Sequence, residues 1–314
     1  MTAQHSGFAA LVGRPNVGKS TLLNRLVGEK IAIVSPKPQT TRTRITGVVT
    51  RPEGQVAFVD TPGLHEAKGA LNRAMVETAL GAVEDVDLVL LLVEPSFGPD
   101  GRTPQVTPGV RAILEKLAPV KGPVLLVVNK VDTVSKALLL PFVQALGEVR
   151  PFDEVLFVSA LTGDGVEELL RATLARLPEG PPLFDAETFT DQQEVGLAAE
   201  LIREQVLRHC RQEVPHSAAV VVDAFDESER APRPGNRPGG LQGLVRLHAT
   251  LLVERDSQKA IVIGKRGAML KAIGTDARKA LERLLGAHVY LDLRVKVEPR
   301  WTESERGLRK VGLR

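Results

Sequence analysis

The sequence predicts an α/β protein in two parts: a mostly parallel sheet with helices on both faces, followed by a smaller α/β unit. Three observations lead there. Over roughly the first 175 residues, short apolar runs alternate with helical periodicity, the pattern of parallel strands joined by crossover helices. The stretch Leu177 to Asp191 then collects Pro178, Gly180, Pro181 and Pro182 without periodicity, as a linker does. Beyond it the charge changes: from Leu241 onward 16 Lys and Arg stand against 8 Asp and Glu, a net +8 in a chain that carries +3 overall. The expected boundaries are 1–178 for the first domain, 179–191 for the linker and 192–314 for the second domain with its C-terminal tail.

Strands are expected at Phe8–Val12, Ile45–Thr50, Val56–Val59, Leu88–Val93, Val124–Val128 and Val155–Val158. These are short, nearly unbroken apolar runs of the kind buried on both faces of a parallel sheet. Helices are expected after Gly18 and over Leu71–Val83, Val110–Leu117, Lys136–Gly147 and Gly165–Leu177. In the second part, Gln193–Cys210 has helical periodicity, and Ala218–Phe225 and Leu244–Arg255 read as strands. Two helices flank Gly264 to Gly267, the second an amphipathic one over Ala268–Leu285, and His288–Val297 closes the unit as a strand. That order is α-β-β-α-α-β. Asp226 to Gly240 holds three prolines and three glycines and reads as an exposed, mobile loop. There is no internal repeat.

With 314 residues, 43% of them apolar, two domains can each bury a core. No apolar run approaches the ~20 residues of a membrane helix, and the first strand begins too early for a signal peptide. The single cysteine, Cys210, excludes an internal disulfide and suits a reducing cytoplasm. His209 and His216 lie near it, but no second cysteine or carboxylate cluster completes a metal site.

Four short motifs end four of the apolar runs. Gly13-Arg14-Pro15-Asn16-Val17-Gly18-Lys19-Ser20 fits the phosphate-loop pattern, and Asp60-Thr61-Pro62-Gly63, Asn129-Lys130-Val131-Asp132 and Ser159-Ala160-Leu161 follow in order. Each alone could be an ordinary turn; in this order they form a guanine-nucleotide site. A phosphate loop surrounds phosphate with backbone N–H groups at a helix N-terminus. Lys19 can reach the β- and γ-phosphates, and the Ser20 hydroxyl can ligate Mg²⁺. Asp60 is placed to hold that ion through a water, and the Gly63 amide to sense the γ-phosphate. Asp132 can accept from guanine N1–H and the 2-amino group, which adenine lacks. Asn129 can bond toward the phosphate loop, the Lys130 stem can cover the purine, and the Ser159–Ala160 backbone can donate to O6.

Thr40 or Thr41 should supply the switch hydroxyl that closes on Mg²⁺, with Thr41 favoured. Leu64 stands where a Ras-like protein places its water-orienting glutamine, so intrinsic hydrolysis should be slow. Arg42 and Arg44 could act as a finger in cis, although solvent or RNA is the preferred assignment for both. In the basic second part, Gly264-Lys265-Arg266-Gly267 joins two helices of a three-stranded unit. This is how K-homology domains clamp about four nucleotides of single-stranded RNA.

These motifs, with Pro38-Gln-Thr-Thr-Arg42, Val262 to Gly267 and the ending Trp301 to Leu313, make nearly the whole chain resemble the Era family of bacterial GTPases. The resemblance implies a P-loop GTPase domain followed by a type II K-homology domain, and hydrolysis of GTP to GDP and phosphate. It further implies binding near the 3′ end of small-subunit (16S) ribosomal RNA, a role in 30S subunit assembly, and peripheral association of a cytoplasmic protein with the cell membrane. Related GTPases that lack the glutamine hold K⁺ at the position of Asn16, so Asn16 is a candidate K⁺ ligand. The expected catalytic set is Lys19, Thr41, Gly63 and Asn16, in a monomer. Two other readings compete: a signalling switch acting on a protein or the membrane, and an RNA-binding scaffold with a merely structural nucleotide site.

Overall fold

The computed structural model describes residues 4–37, 39–64, 69–210, 214–230 and 241–313. They form two compact units. The first is built from residues up to Ala32, from 39–64 and from Asn72–Asp191; the second comprises Ile33–Lys37, Gly69–Leu71 and Gln192 onward.

The first unit begins with β1 (His5–Gly13), α1 (Lys19–Val27), β2 (Ile45–Arg51) and β3 (Gly54–Asp60). It continues through α2 (Ala70–Glu84), β4 (Leu88–Val93), α3 (Pro108–Lys116), β5 (Val124–Val128), α4 (Leu139–Gly147), β6 (Glu154–Phe157) and α5 (Val166–Leu174). The sheet order is β2-β3-β1-β4-β5-β6, with β2 antiparallel to β3 and the remaining pairs parallel. Every residue of β3, β4 and β5 is buried, as strands covered on both faces must be. The chain crosses over β1 between β3 and β4, so β1 sits where the connections diverge, the usual place for a ligand at the carboxyl ends of strands.

Residues 179–191 contain no helix or named strand, yet they are held along the β2–β3 side of this sheet. Gln55, fully buried, accepts from the Leu183 and Phe184 amides at 2.8 Å each. The Val48 amide donates to the Phe189 carbonyl at 2.9 Å, and Thr190 Oγ1 to the Thr46 carbonyl at 2.7 Å. The outer edge of β2 is thereby partly covered, which removes an exposed pairing edge.

The second unit runs α6 (Glu194–His209), α7 (Val214–Ser217), β7 (Ala219–Glu229), β8 (Leu244–Val253), α8 (Asp256–Ile263), α9 (Ala268–Leu285), β9 (His288–Val297) and α10 (Glu305–Lys310). Its sheet has β8 in the centre, antiparallel to β7 and parallel to β9. Val245, Leu247, Ala249 and Leu251 alternate inward from β8 and meet Ile273, Ala277 and Leu281 of α9 and Ile202 and Val206 of α6 in one core. The expected α-β-β-α-α-β order holds, with short α7 and α10 added.

One boundary is corrected. The expected loop began at Asp226, but β7 continues to Glu229: after a bulge, Asp226 pairs with Arg246 and Glu229 with Leu244, and the Arg246 guanidinium binds the Glu229 carboxylate. The rest of that loop, 231–240, lies outside the described residues. Cys210 is buried, and desolvation raises its thiol pKa; His209 bonds Asp276 at 2.9 Å. Among the described residues no His, Cys, Asp and Glu cluster could hold a metal, and no helix is long and apolar enough to cross a membrane.

Trp301, fully buried, donates from Nε1 to the Ser217 carbonyl at 2.8 Å and so ties the C-terminal segment to the start of β7. Trp301→Ala should destabilise the second unit by about 3–5 kcal/mol through the cavity and the lost hydrogen bond. Urea denaturation followed by circular dichroism measures this; a loss below about 1 kcal/mol would place the residue outside the core.

Candidate functional site

All four polar motifs lie at the carboxyl ends of strands of the first unit. The phosphate loop follows β1, Asp60 ends β3, Asn129 follows β5, and Ser159 to Leu161 follow β6. The parallel sheet puts these ends at one edge, so motifs as much as about 150 residues apart in sequence become neighbours.

Asn129, 2% exposed, joins three of them. Its Nδ2 donates to the Val17 carbonyl at 2.8 Å, and its Oδ1 accepts from the Ala160 amide at 2.9 Å. Its approach leaves no room for a side chain at Gly18, whose φ of 103° is left-handed in any case. The Ala160 amide, expected to face guanine O6, is thus turned to Asn129.

The centre is a buried group of charges and hydroxyls. Lys19 Nζ donates to the Arg14 carbonyl at 3.2 Å and lies 3.4 Å from that of Gly13. Ser20 Oγ donates to Asp60 Oδ2 at 2.6 Å; Thr41 Oγ1 is 2.8 Å from Ser20 Oγ and 3.2 Å from the same carboxylate oxygen. Desolvation raises the Asp60 pKa, opposed by the charge of Lys19 and by bonds from Ser20 and Thr41. Desolvation lowers that of Lys19, opposed by Asp60. Asp60 Oδ1 is buried and accepts no hydrogen bond. A carboxylate with an unsatisfied buried oxygen, flanked by two hydroxyls, is a hard-oxygen donor set that fits Mg²⁺. Between the two threonines, the structure brings Thr41 to this group.

Thr61 Oγ1 donates to the Leu11 carbonyl at 2.8 Å and fastens the Asp60 to Gly63 segment to β1. Pro62 carries that segment on to Gly63. Leu64 is buried in the sheet core and its amide donates to the Gly13 carbonyl at 3.0 Å, so its side chain cannot orient water. Arg42 is buried, contrary to its expected placement toward solvent or RNA; Arg44 is exposed. Asn16 is exposed at the loop tip in a left-handed conformation, φ 64°. The Lys130 ammonium pairs with Glu94 at the end of β4, Asp132 is exposed in a short turn of helix, and Leu161 is 72% exposed. Pro38 and residues 65–68, which follow the Asp60-Thr61-Pro62-Gly63 motif and Leu64, lie outside the described residues.

Two residues without a motif also shape the site. Glu94 is the partner of Lys130, and Asn24 of α1 accepts from the Ile31 and Ala32 amides at 3.0 and 2.9 Å, holding the chain that leads to Thr41. Nothing local marks either one, because both act through partners set by the fold.

Gly264, Lys265, Arg266 and Gly267 belong to the second unit, between α8 and α9. Gly264 has φ 71°, Arg266 φ 51° and Gly267 φ 78°, a run of left-handed backbone that turns the chain sharply and leaves both cations exposed. A Cβ at Gly264 would meet Met269 Cβ at 2.7 Å, whereas one at Gly267 would meet nothing within 4 Å.

Known proteins share this architecture from end to end. A model described as 50S ribosome-binding GTPase matches residues 8–130, and a KH domain model matches 213–302. GTPase Era of Geobacter sp. (strain M21) is 48% identical over 307 residues, covering 98% of this chain and 97% of that protein. The chain belongs to the Era family of GTPases. GTPase Era of Heliobacterium modesticaldum is 44% identical, covering 99% of this chain and 98% of the other. Among solved structures, Era in complex with MgGDPNP and nucleotides 1506–1542 of 16S ribosomal RNA matches with a TM-score of 0.88 at 37% identity, covering 99% of both chains. A variant of Aquifex aeolicus Era bound to GDP.AlF4- matches at 0.87, also at 37% and with the same coverage. This GTPase therefore has the P-loop GTPase fold followed by a KH domain.

The contact between Gly63 and the phosphate loop yields a direct test. A Cβ at Gly63 would sit 2.6 Å from Pro15 N and 2.7 Å from Pro15 Cα, so Gly63→Ala must push the two segments apart. The variant should lose at least about tenfold in affinity for a GTP analogue, the loss of one hydrogen bond or more, and clearly less for GDP. Titration with fluorescent nucleotides measures both; equal losses would remove Gly63 from γ-phosphate sensing.

Proposed function

We propose that this GTPase is a nucleotide-dependent switch that binds small-subunit ribosomal RNA near its 3′ end and serves 30S subunit assembly in the cytoplasm as a monomer. The observation that carries the proposal is the presence in one chain of the four nucleotide motifs at one sheet edge and of a basic unit with an exposed Gly-Lys-Arg-Gly turn, with a match over 99% of both chains to an Era in complex with 16S nucleotides 1506–1542. Any membrane association would be peripheral, since no described helix is fit to span one. Crosslinking the protein to cellular RNA and sequencing the fragments should recover the 3′ end of 16S RNA; fragments scattered over unrelated RNAs would refute the reading.

In the proposed cycle the phosphate-loop amides and Lys19 bind the phosphates, and Ser20, Thr41 and Asp60 hold Mg²⁺, which neutralises charge developing on the phosphoryl oxygens. Thr41 and Gly63 carry the switch segments, so loss of the γ-phosphate releases them. Asp132 selects guanine, with Asn129 and the loop 159–164 fixing the base. Asp132→Asn should lower guanine affinity by roughly 100-fold or more and favour xanthine nucleotides, because the amide donates where the carboxylate accepted. Competition titrations decide; equal binding of ATP and GTP by the wild type would sink the assignment.

With Leu64 buried, no side chain at that position orients water, and the charge developing in the transition state needs another stabilising partner. Asn16 would hold a K⁺ that supplies positive charge there. KCl should then raise turnover about tenfold over NaCl at matched ionic strength, since a cation there offsets transition-state charge. Equal rates would leave Asn16 without a catalytic part.

At the RNA site Gly267→Asp is the discriminating change. The surrounding space is open and Asp tolerates left-handed backbone, so the fold should survive. The added carboxylate would face the approaching phosphodiester, and RNA affinity should fall by at least about tenfold, with GTP affinity near wild type. Normal binding of a 16S 3′ fragment in a filter assay would put the clamp elsewhere.

A further inference from the structure

The loop that reads the base has a support that no motif announces. Arg25 lies in the last turn of α1, the helix that opens with Lys19. Its Nε donates to the Ala160 carbonyl at 3.3 Å, and its Nη2 donates to the Leu161 carbonyl. Gly163 lies beneath the same guanidinium: a Cβ there would be 3.7 Å from Nη1. The other groups of the loop are assigned. The Ala160 amide goes to Asn129, the Thr162 amide to Ser159 Oγ at 3.1 Å, and the Gly163 amide to the Ser159 carbonyl at 2.8 Å.

Within a planar trans peptide the C=O and N–H point in opposite directions. Holding the Ala160 oxygen toward Arg25 therefore turns the Leu161 N–H, in the same peptide, to the opposite side of the loop. We propose that Arg25 is a positioning residue for guanine: by gripping two successive carbonyls it aims the Leu161 amide at the 6-oxo group of the base. The inference rests on guanine being held by Asn129, Asp132 and the loop 159–164, and it moves the O6 contact from the Ala160 amide, which Asn129 uses, to the next one.

The residue type fits the task. A guanidinium presents several N–H donors in a fixed planar fork and can hold two neighbouring acceptors at a set angle, whereas an ammonium concentrates its charge at one point. It also links the two ends of recognition. The N-terminus of α1 faces the phosphates and its C-terminal turn holds the base loop, so one helix sets the distance between them. Arg25 is exposed, so water competes for its bonds and its effect is moderate.

The test compares GDP with 6-thio-GDP, which keeps N1–H and the 2-amino group but replaces the 6-oxo oxygen with a poorer acceptor. Dissociation constants are measured by displacement of a fluorescent GDP from the full-length protein. The wild type should prefer GDP. Arg25→Ala should weaken GDP about tenfold, the loss of one hydrogen bond, and weaken 6-thio-GDP clearly less, so the preference narrows. Arg25→Lys, able to hold one carbonyl, should fall between the two. Equal losses for both nucleotides would mean that Arg25 only stiffens the loop, and no loss would mean that its bonds do nothing; either result overturns the proposal. Failure of the underlying reading would show separately, as a wild type that does not prefer GDP to ADP.

Discussion

Everything in the nucleotide site turns on the side chain of Asn129. Placed by the end of a fully buried central strand, it satisfies a carbonyl of the phosphate loop and an amide of the base loop. Both bonds are shielded from water, which strengthens them and makes either one costly to lose. They also lock three loops into one register. Because the amide approaches Gly18 so closely, the glycine there answers a spatial demand as much as a conformational one.

Around that hub the protein accepts electrostatic cost for function. Lys19 and Asp60 are both buried, and burial drives each toward its neutral form. Their mutual attraction and the hydroxyls of Ser20 and Thr41 offset part of this, but Asp60 keeps a buried oxygen without a hydrogen bond. Under the proposed function, a cation and polyphosphate bound there would supply what the protein alone does not. Nucleotide binding and local order are therefore linked.

The second unit solves a different problem. Its sheet needs helices on only one face, and the turn between α8 and α9 is made by three left-handed residues that push Lys265 and Arg266 outward. The glycines differ in role. Gly264 is packed against Met269 and serves the turn, while a Cβ at Gly267 would meet nothing within 4 Å. Thus Gly267 is the better probe of binding, and Gly264 of folding.

Much of this was legible in order along the chain. Strand runs such as Leu88–Val93 and Val124–Val128, and the helix Ala268–Leu285, stand where periodicity put them, because strands buried on both faces and amphipathic helices write their environment into adjacent residues. The gathering of the four motifs was legible too, since each ends a strand run of one parallel sheet and so comes to the same edge. Tertiary structure alone decided what depends on distant partners. It extended β7 to Glu229 through pairing with β8 and buried Arg42. It also brought Thr41 to Ser20 and Asp60, and set Arg25 against carbonyls more than 130 residues away. Residue type and local spacing determine which chemistry a chain can hold. Which amide and which hydroxyl meet which distant partner is decided only when packed elements carry remote residues within about 3 Å of each other.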